Sequence, residues 1–490
     1  MSKRIFVGVL YVLLLSVGYM HAQQLTGQIR GAVTDPSGAA VPNATVTITN
    51  VDRNQVVRTV QSSAAGEYVA PQLPVGNYLI SVEAAGFKKL VKSGVTLNVN
   101  DSLQVSATLM VGKADEIVTV QAEASQVNLS NSAVEGLITG KQIRELPLNN
   151  RNYEQLITLQ PGVTSNAADQ IYVGTTNPSG QVNIVSFSVN GNRQSQNNWT
   201  IDGADNVDHG SNITLLVYPS VDAISEFKIE RSNYGAEFGR SASGQINVVT
   251  RSGTSQFHGS AYEFFRNDAL NAVNSYTKHT GGKKAILRYN DFGGTIGGPI
   301  YKGKTFFFFS EELRRVTTPV TQTAILPSNA ELSGNFAVPV CTAIDSAGNC
   351  TAKGTKISSI NPIAAAYIKD VFSKVPAPDA TGTLVSSSSG VFNYQESLIR
   401  VDHTFNPRWA IMGRYIHDGI PTKEPYGLFG PQSSIPGVSN TSTNSPGQQV
   451  MGRVSAQIKS SLFNEVGYAY SYGAITSDTD GLLACIIHEG

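Results

Sequence analysis

The stretch YNDFGGTIGGPIYKGKTFFFFSEE, Tyr289 to Glu312, decides how the second half of this chain folds. Inside it, Gly298 to Thr305 matches the phosphate-loop pattern of Gly, four residues, Gly-Lys-Thr letter for letter. Such a loop needs a buried strand before it and a helix after it, because amides at the helix N-terminus hold the phosphate. Here Gly293-Gly294 and Gly297-Gly298 precede the motif and four successive Phe come after it, which is strand sequence rather than helix. The segment therefore predicts a hairpin with Lys302 and Lys304 facing water. Nucleotide hydrolysis at Lys304 and Thr305 is disfavoured.

Similar segments surround it. Phe257–Arg266, Gln395–Phe405, Trp409–Ile416, Val450–Ile458 and Glu465–Tyr470 alternate apolar with polar residues and carry aromatics near their ends. Together with the two halves of the hairpin they make roughly seven segments of about ten residues, the pattern of membrane β-barrel strands. Between them, 314–390 and 419–448 are long and rich in Ser, Thr, Pro and Gly, whereas Asn406-Pro407 is a tight turn. Alternating short and long connections fit periplasmic turns and extracellular loops. The charge agrees: 36 basic and 36 acidic residues cancel, so nothing suggests a nucleic-acid partner, and a charged fraction of 15% suits surface that water does not wholly cover.

At the other end, Lys3 and Arg4 precede an apolar run from Ile5 to Tyr19, then Met-His-Ala22. This is a secretory signal peptide over 1–22, cut after Ala22; the run is short for the roughly 20 residues of a spanning helix. From 27 to 111 short alternating strands such as Ala44–Thr49 and Asn77–Val82, with turns at Asp35-Pro-Ser-Gly38 and Leu73-Pro-Val-Gly76, predict a small β-sandwich. Gly31 to Asp35, Gly66-Glu-Tyr68 and Leu73 to Tyr78 resemble the carboxypeptidase regulatory-like, transthyretin-like domain. That name implies no peptidase: the stretch holds no His, and no catalytic role is expected.

Next comes a segment at 113–122. Asp115, Glu116, Ile117, Val118, Thr119 and Val120 form an acidic-then-apolar run suited to adding to a sheet edge, or to serving as the last strand of the preceding sandwich. It resembles the TonB box of TonB-dependent outer-membrane receptors. From 125 to 250 the chain reads as α+β, with short helices at Gly140–Asn149 and Asn152–Leu159 ended by Pro147 and Pro161. Leu146–Tyr153, Val189-Asn-Gly191, Ile201-Asp-Gly203 and Ala236–Arg240 together are similar to the plug of Oar-like TonB-dependent receptors. The resemblance implies a mainly β protein: transthyretin-like sandwich, coupling segment, α+β plug, and the first strands of an antiparallel transmembrane barrel over 254–490. It also implies a Gram-negative outer-membrane location, energised movement of an unidentified extracellular ligand, a TonB-type periplasmic partner, contact with outer-membrane lipid, and neither enzymatic activity nor a cofactor. The other reading is a secreted adhesion or carbohydrate-binding sandwich.

Barrels of this kind have about 22 strands and need roughly 220 residues for strands alone, so this length predicts an incomplete barrel, a fragment or truncated product. Asp202, Asp205, Asp208 and His209 lie close together, yet their spacing is not that of a calcium loop, and a polar turn rather than a metal site is expected. Cys341 and Cys350 bracket eight residues of the long loop, and in an oxidising compartment they are expected to form a local disulfide.

Overall fold

The computed structural model describes residues 26–113, 116–121, 132–148, 151–165, 187–235, 238–239, 241–273, 275–279, 284, 286–427, 433–459, 462–479 and 481–482. The expected signal peptide, Asp115, and Ala236, Glu237 and Arg240 of the plug motif lie outside them.

Alternation builds the N-terminal sandwich. In Thr45–Asn50 every second residue is buried, which puts Val46 and Ile48 in the core and the Thr hydroxyls on the other face. This strand is second in a five-stranded sheet of order Gln55–Gln61, Thr45–Asn50, Gly76–Glu83, Lys89–Leu97 and Ile117–Gln121. Facing it, Gly27–Thr34 pairs with Glu67–Leu73, Ser102–Gln104 and Ala107–Thr108. Ile29, Val33, Tyr78 and Ile80 fill the space between the sheets.

The second unit is a mixed five-stranded sheet of order Val134–Thr139, Ile224–Ser232, Gln245–Thr250, Asn198–Ile201 and Ala204–Asp205. A capping box of Thr139 and Gln142 starts the helix Gly140–Glu145, and Tyr153–Leu159 forms a 3-10 helix capped by Asn152. In its core Tyr153 packs edge to face with Trp199 and Phe227 and tilted against Tyr218.

The third unit is an antiparallel sheet whose seven long strands run in chain order: His258–Asn267, Arg288–Tyr301, Thr305–Ile325, Thr383–Asn406, Trp409–Gly419, Gly447–Lys459 and Leu462–Gly473. The Phe run shows why these residues make a wall. Phe306 and Phe308 are buried on the inner face, whereas Phe307 and Phe309 point the other way. The same outer face exposes Ile296, Ile399, Ile411, Tyr415, Val450 and Tyr470, an apolar surface that water would not favour but lipid would. Among the described residues no helix is long and apolar enough to cross a membrane. The hairpin predicted at Tyr301–Thr305 is present, with Gly303 at φ +71° and both lysines exposed.

The connections differ from expectation in one respect. Residues 314–325 and 383–390 are strand, not loop: Thr305–Ile325 pairs in unbroken register with Thr383–His403. Ser and Thr content suggested a loop, but β-branched Thr pairs across strands wherever backbone partners exist. At about 3.3 Å per residue the 21-residue strand reaches roughly 70 Å, more than twice the thickness of a bilayer core. Its far half therefore stands beyond the membrane, where the connection carries the hairpin Asn335–Ile344 with Cys350–Lys356. Similarly, 419–448 contains the short strands Thr422–Glu424 and Thr441–Asn444.

Candidate functional site

The mixed sheet lies against the inner face of the wall, and charged side chains hold it there. Ile201-Asp202-Gly203-Ala204 is a two-residue hairpin with positive φ at both central positions, +49° and +85°, the conformation Asp-Gly favours. That turn aims Asp202 at the wall. Its carboxylate lies 3.4 Å from the Arg400 guanidinium and 3.3 Å from that of Arg414, and it accepts hydrogen bonds from the Thr250 amide and hydroxyl. Burial would raise the Asp202 pKa, but Arg400 and Arg414 outweigh it and hold the group below the ordinary range. Arg400 also meets Asp402 at 3.0 Å, and Asp402 meets Arg53 of the sandwich at 3.2 Å.

A second clamp forms around Arg151. Its guanidinium is 2.5 Å from Asp222 of its own unit and 3.5 Å from Glu312 of the wall, and it stacks 4.3 Å over the Tyr262 ring. Glu312 also binds Arg314 at 2.9 Å, and Arg314 binds Asp291 at 3.0 Å. Buried pairs of this kind become expensive when one partner is removed, at about 3–5 kcal/mol.

At the long-loop end, Asp208 accepts amide hydrogen bonds from Gly210, Ser211, Asn212, Ile213 and Thr214, so its oxygens serve to fold the loop. This loop pushes Leu216 against the ends of two wall strands. A Cβ on Gly447 would sit 2.1 Å from the Leu216 carbonyl oxygen, so only glycine permits the approach there; one on Gly473 would meet the movable Leu216 Cδ2 at 2.9 Å. Above it, Asp208, Ser211, Leu215, Leu216, Pro446 and Ile475 line a cavity of about 290 Å³.

At the short-turn end the sandwich grips the mixed sheet through the turn 98–101. The Val99 amide donates to Glu226 at 2.6 Å, and the Lys228 ammonium donates to the Val99 carbonyl and meets Asp101, both at 3.1 Å. Lys228 also meets Glu135 at 2.8 Å. Burial pushes the Glu226 carboxyl up to about 7, only partly offset by the Val99 amide. Burial works against the Lys228 ammonium, but Asp101 and Glu135 hold it above its ordinary range.

The residues singled out from sequence fall in three places. Asp115 is outside the described residues. Glu116 to Val120 lie at the margin of the sandwich: Ile117–Gln121 runs parallel to Lys89–Leu97 as the edge strand, Glu116 pairs with Lys88 at 2.5 Å, and Val118 packs on the sandwich core. The Lys89 amide donates to the Glu116 carbonyl, which in a parallel ladder assigns 116, 118 and 120 to the inner partner and leaves the N–H and C=O of Ile117, Thr119 and Gln121 directed outward. Cys341 and Cys350 are joined across the distal hairpin, Cα atoms 5.7 Å apart. Asp202, Asp205, Asp208 and His209 do not converge: Asp202 faces arginines, Asp208 faces amides, and Asp205 pairs with His209 at 3.0 Å. The clamps themselves escaped sequence reading, although Glu312 with Arg314, and Arg400 with Asp402, are charges two apart on the inner face of an alternating strand.

Comparison with known proteins matches this arrangement. Residues 249–483 match the outer membrane beta barrel domain and residues 28–110 the carboxypeptidase regulatory-like domain. The TonB-dependent transporter Oar of Myxococcus xanthus is 28% identical over 295 residues, which are 57% of this chain. Over that stretch the chain is similar to a TonB-dependent transporter. It spans 26% of the length of Oar. Its place is the Gram-negative outer membrane, and the relative is a transporter rather than an enzyme. Among solved structures, the outer membrane transporter YddB of Escherichia coli is similar with a TM-score of 0.44 at 12% identity, covering 71% of this chain and 40% of that one. A ferric enterobactin receptor mutant of Pseudomonas aeruginosa gives 0.36 at 12% identity, covering 70% and 49%. The seven-stranded wall falls within the residues matched by the barrel domain, and the mixed sheet is the segment expected from sequence as the plug.

Proposed function

We propose that this chain is part of an outer-membrane transporter in which a TonB-type periplasmic protein pulls on residues 116–121 and so moves the plug, with the ligand received under the long loops. The observation that carries the reading is an unbroken mechanical path. The coupling strand Ile117–Gln121 pairs with Lys89–Leu97, and that strand runs directly into the turn 98–101 that grips Glu226 and Lys228. Both residues lie on the plug strand Ile224–Ser232, which starts two residues after Asp222, the partner of Arg151 in the clamp to the wall. Force on the segment thus reaches the plug through backbone ladders and buried ion pairs. Nothing in this path needs covalent chemistry or a cofactor.

The outward groups of Ile117, Thr119 and Gln121 offer a partner strand an edge to extend. Proline at 119 removes an outward N–H while leaving the inner ladder intact, the placement that edge strands tolerate. Proline at 118 removes an inner donor instead. Binding of the purified periplasmic domain of the cell's TonB-type protein should fall at least about tenfold in Thr119→Pro with the sandwich still folded, since a lost bond and a stranded partner carbonyl cost about 1.5–3 kcal/mol. Val118→Pro should instead lower the melting temperature of the sandwich. Wild-type binding by Thr119→Pro refutes the coupling role of this edge.

A further inference from the structure

The junction of sandwich, mixed sheet and wall forms a half-open cavity of about 370 Å³ that the transport reading leaves without a role. Its size is within the range of small-molecule sites. Thr26, Gln55, Arg58 and Gln72, all from the sandwich, line it, and each has a buried polar atom without a hydrogen-bond partner: Thr26 Oγ1, Gln55 Oε1, Arg58 Nε and Gln72 Oε1. Native proteins satisfy most buried polar groups, so four such atoms around one cavity call for an occupant.

The charges say which kind. Three of the four acids that line the cavity are ion-paired, Asp402 with Arg53 and Arg400, Asp202 with Arg400 and Arg414, and Glu465 with Arg453, while the fourth, Asp52, accepts long hydrogen bonds from Asn77. Among the described residues no carboxylate lies within ion-pair distance of Arg58 or of Arg251, which also lines the cavity. Arg58 is only 6% exposed and is held by stacking 4.5 Å over the Phe463 ring, so its guanidinium is desolvated and has no carboxylate in direct contact, Glu465 acting on it only from a longer distance. Such a group receives a carboxylate or phosphate with directed hydrogen bonds. The Gln55 carbonyl oxygen offers the opposite: its amide nitrogen already donates to the Gly303 carbonyl, so the oxygen is left as a buried acceptor at the margin of the cavity and suits a ligand hydroxyl.

We propose that this cavity is a binding site for a small hydroxylated anion of the size and chemistry of a sugar phosphate or sugar acid. Arg58 takes its anionic group and Gln55 its hydroxyl. Because the walls come from all three units, the bound anion fastens the sandwich to the barrel and stabilises the docked state by mass action.

The test is isothermal titration of the purified, detergent-solubilised chain with glycerol 3-phosphate, inorganic phosphate and glycerol. Glycerol 3-phosphate should bind, inorganic phosphate at least about fivefold more weakly, and glycerol not at all. Arg58→Met keeps the stem and removes the unpaired charge, so it should abolish glycerol 3-phosphate binding while leaving the ligand-free melting temperature equal to or above that of the parent. Arg58→Lys, which keeps a charge, should retain weakened binding. Three results overturn the assignment: no heat with glycerol 3-phosphate, equal binding by Arg58→Met, or a marked drop in ligand-free melting temperature for Arg58→Met, which would make Arg58 a fold residue through Phe463. Titration with detergent micelles containing phosphatidylglycerol separates a free anion from a lipid headgroup; binding only in that form also overturns the proposal.

Discussion

Glu226 makes the grip of the sandwich on the plug sensitive to pH. Its carboxyl is buried against the Val99 amide, and burial pushes it from an ordinary 4.5 up to about 7. Below pH 4.5 the group is protonated whether or not the sandwich is docked, so the joint carries no ionisation penalty. Between 4.5 and about 7 the docked state keeps a proton that the undocked state has lost, and docking weakens by about 1.4 kcal/mol per pH unit. Above 7 both states are ionised and the penalty levels off, at about 3 kcal/mol. Glu226→Gln keeps the shape and an acceptor for the Val99 amide but does not titrate. Hydrogen exchange of the amides of Val99 to Asp101, corrected for intrinsic rates, reports the opening free energy. From pH 5 to 8 that free energy should fall in the parent chain and stay flat in Glu226→Gln. A flat parent profile, or the same slope in both chains, refutes the reasoning.

The clamps and the loops can be tested in the same way. Asp202→Asn leaves Arg400 and Arg414 buried without their shared charge and should cost about 3–5 kcal/mol, read as a lowered unfolding temperature of the plug and faster exchange at Thr250. Gly447→Ala forces Leu216 away from the wall and should destabilise by about 1–3 kcal/mol, with chemical-shift changes concentrated in 208–216. Cys341→Ser should make 335–356 sensitive to protease while the heat-modified mobility of the barrel strands stays unchanged, because the disulfide closes only the distal hairpin.

Much of this architecture was legible because its strands alternate. Thr45–Thr49 and Phe306–Phe309 display period-two burial in plain letters, and the seven wall segments emerge from repetition of that signal. The phosphate-loop lookalike was resolved by the four Phe on its C-terminal side, which form a strand and cannot cap an anion. The outer halves of the long strands were not legible, because Thr317–Thr323 and Ser386–Ser389 have no apolar face; their order comes from each other, in register, and a single segment cannot show its partner. The clamps were hidden for the same reason. Arg151 and Glu312 are far apart in sequence, and nothing local to either tells that Tyr262 and Asp222 will share the pocket.

The low charged fraction then takes on a mechanical meaning. An apolar plug–wall contact would slide, since hydrophobic attraction is non-directional and changes little when side chains exchange neighbours. Ion pairs with fixed geometry do not slide. Moving Asp202 by one strand pleat strands Arg400 and Arg414 in a dry interface, so intermediate positions of the plug are unfavourable until water reaches all three groups. The plug is therefore held at one place and released over a short distance, provided the pull arrives close to a clamp. On the proposed coupling route it does: Lys228 and Glu226, where the sandwich holds on, are six and four residues from Asp222, and Asp222 shares Arg151 with Glu312 of the wall. Force entering at the sandwich turn on this reading loads both clamps, the Arg151 clamp through Asp222 and the Asp202 clamp through Thr250 and through the chain Arg53–Asp402–Arg400, and Arg151→Met and Asp202→Asn should each lower the force at which the mixed sheet yields in single-molecule pulling from residue 121.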